Sequence, residues 1–171
     1  MTDTRLSRIK LLLMDVDGVL TDGSIAYTGD DKQTVIFNVK DGFGLRMLMG
    51  AGIATGVITG RKSSALSRRV RELGIGFCFD GVSDKVPILN RILLQTGALA
   101  EETAYIGDDL PDLSIMKQVG VPIAVADAVP DIRSCAAIVT VRPGGKGAVR
   151  EICDAILQAK GLWTDLIKKW Q

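Results

Sequence analysis

Four aspartates and one lysine in this chain have the types and spacing to handle a phosphate. Asp15 and Asp17 stand two residues apart in KLLLMDVDGVLTDG, Asp108 and Asp109 are adjacent in GDDLPD, and Lys85 ends the tripeptide SDK. The first pair follows directly on an apolar run, a poor place to leave negative charge unless something neutralises it. Carboxylates brought together repel, and one of them protonates unless a cation sits among them. Oxygen-only ligands suit magnesium, which keeps several waters and takes one or two carboxylates plus a substrate phosphate. Calcium fits less well, because an EF-hand count begun at Asp15 puts Val19 and Leu20 at a ligand and the glycine position. A carboxylate beside magnesium implies an aspartyl-phosphate route. Asp15 would attack phosphorus in line, and Asp17 would protonate the leaving oxygen and then activate water. Thr59 offers a hydroxyl and a backbone donor to the phosphoryl oxygens, and Lys85 a positive charge for the transition state. Taken alone, a threonine at a strand end is more often a cap or turn residue, and a lone lysine more often solvated surface. The ordered set makes them candidates.

Composition narrows the chemistry from the other side. The chain has 171 residues and no histidine. Ser-His-Asp hydrolysis, Cys-His proteolysis and His-ligated zinc are therefore excluded together. Cys78, Cys135 and Cys153 are widely spaced in apolar surroundings, and none is followed six residues on by arginine. They are expected to be reduced and buried. The net charge of +1, with acids and bases mixed, gives no nucleic-acid surface and no polybasic membrane patch. No apolar run reaches membrane-spanning length. The start, MTDTRLSRIK, lacks a signal-peptide core, so a cytoplasmic location is expected.

The elements that must position these residues read as one domain, 1–171. Short apolar runs alternate with amphipathic stretches, the pattern of an α/β fold with a doubly wound, mostly parallel, Rossmann-like sheet. The first strand runs roughly from Ile9 to Asp15. A β-hairpin insertion follows in SIAYTGDDKQTVIFNV, with Gly29, Asp30 and Asp31 in its turn. Asp41 is expected to cap a helix ending near Gly50 to Gly52. Thr55 to Thr59 is the next strand, and Ser63 begins a helix closed by Gly74. A strand over 75–79, a helix from Ser83 to Gly97, a strand from Thr103 to Ile106 and a helix opened by Pro111 come next. VPIAVA, a short helix from about Val129, AIVTV and a helix over 147–159 complete the order. In such sheets the ligand lies beyond the carboxyl ends of the strands, where strand order reverses. The strand ends carry DVDG, TGR, SDK and GDDLPD, so Asp15, Asp17, Asp108 and Asp109 converge if the first and fourth sheet strands are neighbours.

DVDGVLTDG, VITGR, Lys85 and GDDLPD, in that order, resemble the four motifs of the haloacid dehalogenase superfamily of phosphatases. The resemblance implies that Asp15 is the nucleophile and Asp17 the general acid/base. It also implies that Asp15, the backbone carbonyl of Asp17 and Asp108 bind Mg2+, with Asp109 and Asp112 supporting the metal through waters. No large cap insertion is present, and NVKDGFGLRML, TGRKS and RPGGKGAVREICDAIL are similar to the tetrameric capless branch, over nearly the whole chain to about Ala159. That branch implies an eight-carbon sugar acid 8-phosphate as substrate and a role in lipopolysaccharide precursor synthesis. It implies substrate contacts from Asp17, the segment Asn38, Val39, Lys40, Asp41 and Gly42, and Arg46, Gly60, Arg61, Arg69 and Lys85. Arginine forks suit both the phosphate and the carboxylate of such a substrate, although Arg69 also reads as one charge of the solvated helix SRRVRE.

Other readings stay open at this level. A nonulosonate 9-phosphate or another small phosphate ester would use the same chemistry. A phospho-receiver also gathers acids on a doubly wound sheet, but its phosphorylated aspartate ends the third strand, where this chain has Phe79, Asp80 and Gly81. A silent regulator would not need all four motifs intact. Lys146 in GGKG is either a substrate contact or part of a turn; the spacing is not that of a Walker A loop. The capless branch implies a homotetramer, and Ile25, Tyr27, Val35, Phe37 and Val39 alternate at strand period, which predicts one apolar hairpin face for subunits to share.

Overall fold

The sheet is built from strands too apolar to face water on either side. β1 (Leu11–Met14) is buried along its whole length, as is β6 (Thr103–Gly107). β4 (Ala54–Ile58) and β7 (Val121–Ala124) are buried at nearly every position. Such strands need helices on both faces, which is the parallel arrangement. The computed structural model, which describes residues 3–28 and 32–168, has that arrangement. Six parallel strands follow the order β5-β4-β1-β6-β7-β8, with β5 (Phe77–Phe79) and β8 (Ile138–Val139) at the edges. Leu11 lies between Ala54 and Thr103, and Met14 between Val57 and Ile106. The chain leaves β1 towards β4 and β5, then crosses back to β6, so strand order reverses between β1 and β6. The residues after these two strands therefore emerge side by side, as the sequence predicts.

The covering helices are α1 (Val39–Gly50), α2 (Ser64–Leu73), α3 (Lys85–Thr96), α4 (Leu113–Met116), α5 (Pro130–Cys135), α6 (Ala148–Ala159) and α7 (Trp163–Ile167). α1 packs chiefly on α6, and Leu45, Leu48, Ile152 and Ile156 of this pair are buried in the main core. Ser63 caps α2 by accepting from Leu66 N, and Gly74 closes it with φ +76°, a conformation only glycine takes at no cost.

Several boundaries differ from expectation for local reasons. α1 is capped by Asn38, whose side chain accepts from Lys40 N at 2.8 Å, and not by Asp41. α3 is capped by Asp84, not Ser83. Pro111 opens only a single 3-10 turn, Leu110–Asp112, before the short α4. In the hairpin, β2 (Ala26–Thr28) pairs antiparallel with β3 (Lys32–Thr34); the expected turn residues Gly29, Asp30 and Asp31 lie outside the described residues. The strand period stops at Thr34, so the apolar set does not share one strand face. Phe37 packs against the core, while Val39 starts α1 and is 78% exposed. Cys153 is buried as expected, Cys135 is half-buried and Cys78 is exposed. Cys78 lies on β5, an edge strand with which only β4 pairs among the described residues.

Candidate active site

The ends of β1, β4 and β6 and the start of α3 enclose a cleft of about 370 Å³, lined by Asp15, Asp17, Thr59, Gly60, Arg61, Lys85, Asp108 and Asp109. Asp15 follows β1, and its N–H donates to Ile106 O at 3.0 Å, extending the β1–β6 ladder by one bond. The chain then turns at Gly18, where φ is +82°. A Cβ at that position would collide with the Asp108 carboxylate, so only glycine lets the two acidic segments meet. Thr59 follows β4 and is buried, with its hydroxyl accepting from Arg61 N at 3.4 Å.

Lys85 is the centre of the charge arrangement. Although it carries an ammonium, it is 3% exposed. Its Nζ donates to Asp112 Oδ1 at 2.6 Å and to Tyr105 Oη at 3.1 Å. It also lies 3.1 Å from Asp15 Oδ1, an ion pair outside hydrogen-bond geometry. Asp112 is fully buried; Oδ1 also accepts from Tyr105 Oη at 2.7 Å, and Oδ2 accepts from Asp108 N at 3.0 Å. One cation thus faces three carboxylates. Burial, with Asp112 beside it and Lys85 opposing, pushes Asp15 up to about 6. Burial, then Asp112, Asp15 and Asp109, pushes Asp108 up to about 8.

Those shifts mark a place that wants another positive charge. Asp15 Oδ1 and Asp108 Oδ1 are buried and have no hydrogen-bond partner, and the carboxylates of Asp15, Asp108 and Asp112 offer oxygens within 4.8 Å of one another. Asp112 spends both oxygens on Lys85, Tyr105 and Asp108 N, whereas Asp15 Oδ1 has only the Lys85 ion pair and Asp108 Oδ1 accepts no hydrogen bond. Hard oxygen donors of this kind fit magnesium.

The other sequence candidates fall into distinct places. Asp17 is partly exposed at the cleft, with Arg61 Nε 3.4 Å from its Oδ2. Arg61 Nη2 also donates to Gln33 Oε1 at 2.9 Å, which ties the hairpin to the cleft. Asp109 is exposed and caps the 3-10 turn by accepting from Leu110 N. Asp112, expected with Asp109 to support a metal through waters, is buried and anchors Lys85. Asn38, Val39, Lys40, Asp41, Gly42, Arg46 and Arg69 do not line the cleft. Asn38 Nδ2 donates to Gly145 O, and Arg69 Nη2 donates to Asn38 O, both at 3.2 Å. The Arg69 guanidinium sits 5.9 Å from the Phe37 ring centroid. Val39, Lys40 and Arg46 are exposed, and Gly42 is buried against Arg69. The Asp41 side chain points inward and accepts from Gly147 N at 3.3 Å and Arg150 N at 2.7 Å, so it caps the start of α6; burial raises its pKa.

Two participants are not visible from sequence. Tyr105 sits mid-strand in β6 and reads as core. The segment Pro143–Gly147, by sequence either a substrate contact or a turn, forms a turn in which Gly145 N donates to Val19 O at 2.9 Å. A Cβ at Gly144 would overlap the carbonyl of Gly18, so this segment braces the Asp15–Gly18 loop by backbone contact that needs glycine. Lys146 Nζ reaches Asp22 Oδ2 at 3.2 Å on the outer side of that loop.

The chain is similar to known proteins over most of its length. The model of the haloacid dehalogenase-like hydrolases matches residues 80–152. The 3-deoxy-D-manno-octulosonate 8-phosphate phosphatase of Yersinia pestis is 44% identical over 156 residues, 91% of this chain and 83% of the relative. The enzyme of the same description from Haemophilus influenzae is 44% identical over 157 residues, 92% of this chain and 87% of the relative. The crystal structure of the Moraxella catarrhalis 3-deoxy-D-manno-octulosonate 8-phosphate phosphatase, in complex with magnesium ion, phosphate ion and KDO, superposes with a TM-score of 0.95 at 40% identity. It covers 98% of this chain and 96% of that one.

Proposed function

This chain belongs to the haloacid dehalogenase-like hydrolases, and from that premise we propose that it is a single-domain, magnesium-dependent phosphatase of 3-deoxy-D-manno-octulosonate 8-phosphate. It would release the free sugar acid and phosphate in lipopolysaccharide precursor synthesis. The observation that carries the reading is the pair of buried oxygens on Asp15 and Asp108 that accept no hydrogen bond, the first of them ion-paired with Lys85, in a chain so similar to phosphatases of that ester.

In this scheme the carboxylates of Asp15 and Asp108 and the backbone carbonyl of Asp17 would hold the metal. Bound magnesium would supply charge to neutralise the carboxylates and one phosphoryl oxygen. An Asp15 oxygen forms a bond to phosphorus as the ester P–O bond breaks, and the leaving sugar oxygen takes the proton of the Asp17 carboxyl. Asp17, now ionised, takes a proton from water as that water attacks phosphorus. The P–O bond to Asp15 breaks, and both aspartates return to their starting state. Thr59 and the backbone at Gly60 donate to phosphoryl oxygens, and Lys85 keeps positive charge beside the forming bond. Arg61 bridges Asp17 and the mouth of the cleft, where a guanidinium suits the sugar carboxylate. Asn38–Gly42, Arg46 and Arg69 act from the rim, through the loop at Gly145 or towards a neighbouring subunit.

A homotetramer fits the exposure of Tyr27, Ile36 and Val39, at 71%, 75% and 78%, around a hairpin that two strands alone do not stabilise. Three free thiols suit the reducing cytoplasm, and no helix among the described residues is long and apolar enough to cross a membrane. Phosphate release with magnesium across a panel of sugar phosphates tests the assignment. The expected result is a highest kcat/KM for the eight-carbon acid 8-phosphate; preference for a nonulosonate 9-phosphate or a neutral sugar phosphate would replace the substrate. Sedimentation at micromolar concentration tests the assembly, and a fully active monomer would remove it.

A further inference from the structure

We propose that Tyr105 is a positioning residue of this reaction: its hydroxyl, with Asp112, fixes the direction in which the Lys85 ammonium faces Asp15. The inference rests on the phosphatase reading above. Tyr105 is the largest fully buried side chain in the core, on a strand buried at every position. Packing alone would be served by phenylalanine. A buried hydroxyl costs free energy unless paired, and here both its donor and its acceptor functions are used inside the site. It donates to Asp112 Oδ1 at 2.7 Å and accepts from Lys85 Nζ at 3.1 Å.

The geometry gives that hydroxyl a directional task. An ammonium has three N–H groups. Asp112 Oδ1 accepts from it at 2.6 Å and Tyr105 Oη at 3.1 Å, and Asp15 Oδ1 lies 3.1 Å away as an ion pair outside hydrogen-bond geometry. Asp112 cannot rotate to follow the lysine, because its other oxygen is held by Asp108 N at 3.0 Å. With two fixed acceptors the ammonium has one orientation; with Asp112 alone it pivots about a single bond. Deleting the hydroxyl keeps the charge of Lys85 and the carboxylate of Asp112, and removes only the second anchor. The cost therefore falls on transition-state charge placement, not on substrate binding.

The test is Tyr105→Phe against wild type, with magnesium, on the eight-carbon sugar acid phosphate and on para-nitrophenyl phosphate. A kcat lowered about 10–100-fold on both esters, with KM within about threefold, is expected for a positioning role. A hydroxyl that serves only the fold would lower the melting temperature and leave kcat of the folded enzyme within about twofold, which would overturn the proposal, as would a loss confined to KM. If Tyr105→Phe does not fold, 4-fluorophenylalanine at position 105 keeps the bulk without the donor, and the same kinetic criteria apply. A crystal structure of the variant gives a readout independent of turnover: Lys85 Nζ is expected to leave its place beside Asp15 Oδ1 or to occupy two positions. If wild type releases phosphate from no ester, the phosphatase reading fails by itself. The crystallographic arm then decides the positioning claim, and an unmoved, single Lys85 ammonium overturns it.

Discussion

Replacing Asp108 by asparagine should make the metal-free protein more stable and the enzyme inactive. In the native chain this carboxyl is pushed up to about 8 from 3.8, first by burial and then by Asp112, Asp15 and Asp109. The folded state therefore binds a proton that the unfolded chain gives up, and stability falls as pH rises from about 4 towards 8. Full linkage at pH 8 would amount to about 5 kcal/mol for a group with these two values. Asp108 is only partly buried, and solvent screening reduces this to about 2–3 kcal/mol. For a chain of this size that corresponds to about 5–10 °C in melting temperature. Asparagine keeps the shape without the charge. Scanning calorimetry in EDTA at pH 5.5 and pH 8 is the assay. Wild type should melt lower at pH 8, Asp108→Asn should recover most of the difference, and magnesium should raise wild type well above the variant by binding only the native carboxylates. A variant no more stable than wild type at pH 8 without metal would refute the reasoning that this cluster is short of positive charge.

Two further substitutions separate the rim from the frame. Arg61→Ala should raise KM for the sugar acid phosphate about tenfold, the worth of one charge-assisted pair, and should change KM for para-nitrophenyl phosphate much less; equal effects in steady-state kinetics would assign Arg61 to the phosphate or to the fold. Asp41→Ala removes the acceptor for Gly147 N and Arg150 N and should lower stability by about 1–2 kcal/mol, as loss of a helix cap does. An unchanged melting temperature would show that the start of α6 does not depend on it.

The parts of this molecule that depend on neighbours in sequence were legible, and those that depend on contacts across the sheet were not. β1, β4 and β6 announce themselves as apolar runs ending in acids or hydroxyls, because a parallel strand buried on both faces has no polar side. Their ends converge because strand order reverses at β1, so Asp15, Asp17, Asp108 and Asp109 could be placed together. Asp112 reads as one more acid in GDDLPD, and only the structure turns it inward beneath Lys85. Tyr105 is one apolar-looking residue of TAYIG until Lys85, 20 positions away, reaches it. Asp41 looks like a cap for its own helix, yet its partners at α6 lie 106 and 109 positions away. The hairpin itself was legible, but its apolar face was not: Val35, Phe37 and Val39 continue the strand alternation by composition, whereas β3 ends at Thr34 and Val39 already belongs to α1, capped by Asn38. Cys78 has apolar neighbours and is exposed because β5 lies at the sheet edge.

Asp15 is proposed to carry the phosphoryl group during turnover. Rapid quenching of the enzyme with magnesium and substrate, followed by borohydride reduction and peptide mass spectrometry, reads it directly, since a phosphorylated aspartate is reduced to homoserine. Homoserine is expected at position 15, formed only when substrate is present and lost in Asp15→Asn. Steady turnover with no reduced residue at position 15 at any quench time, or with the reduced residue at another aspartate, would contradict the proposal.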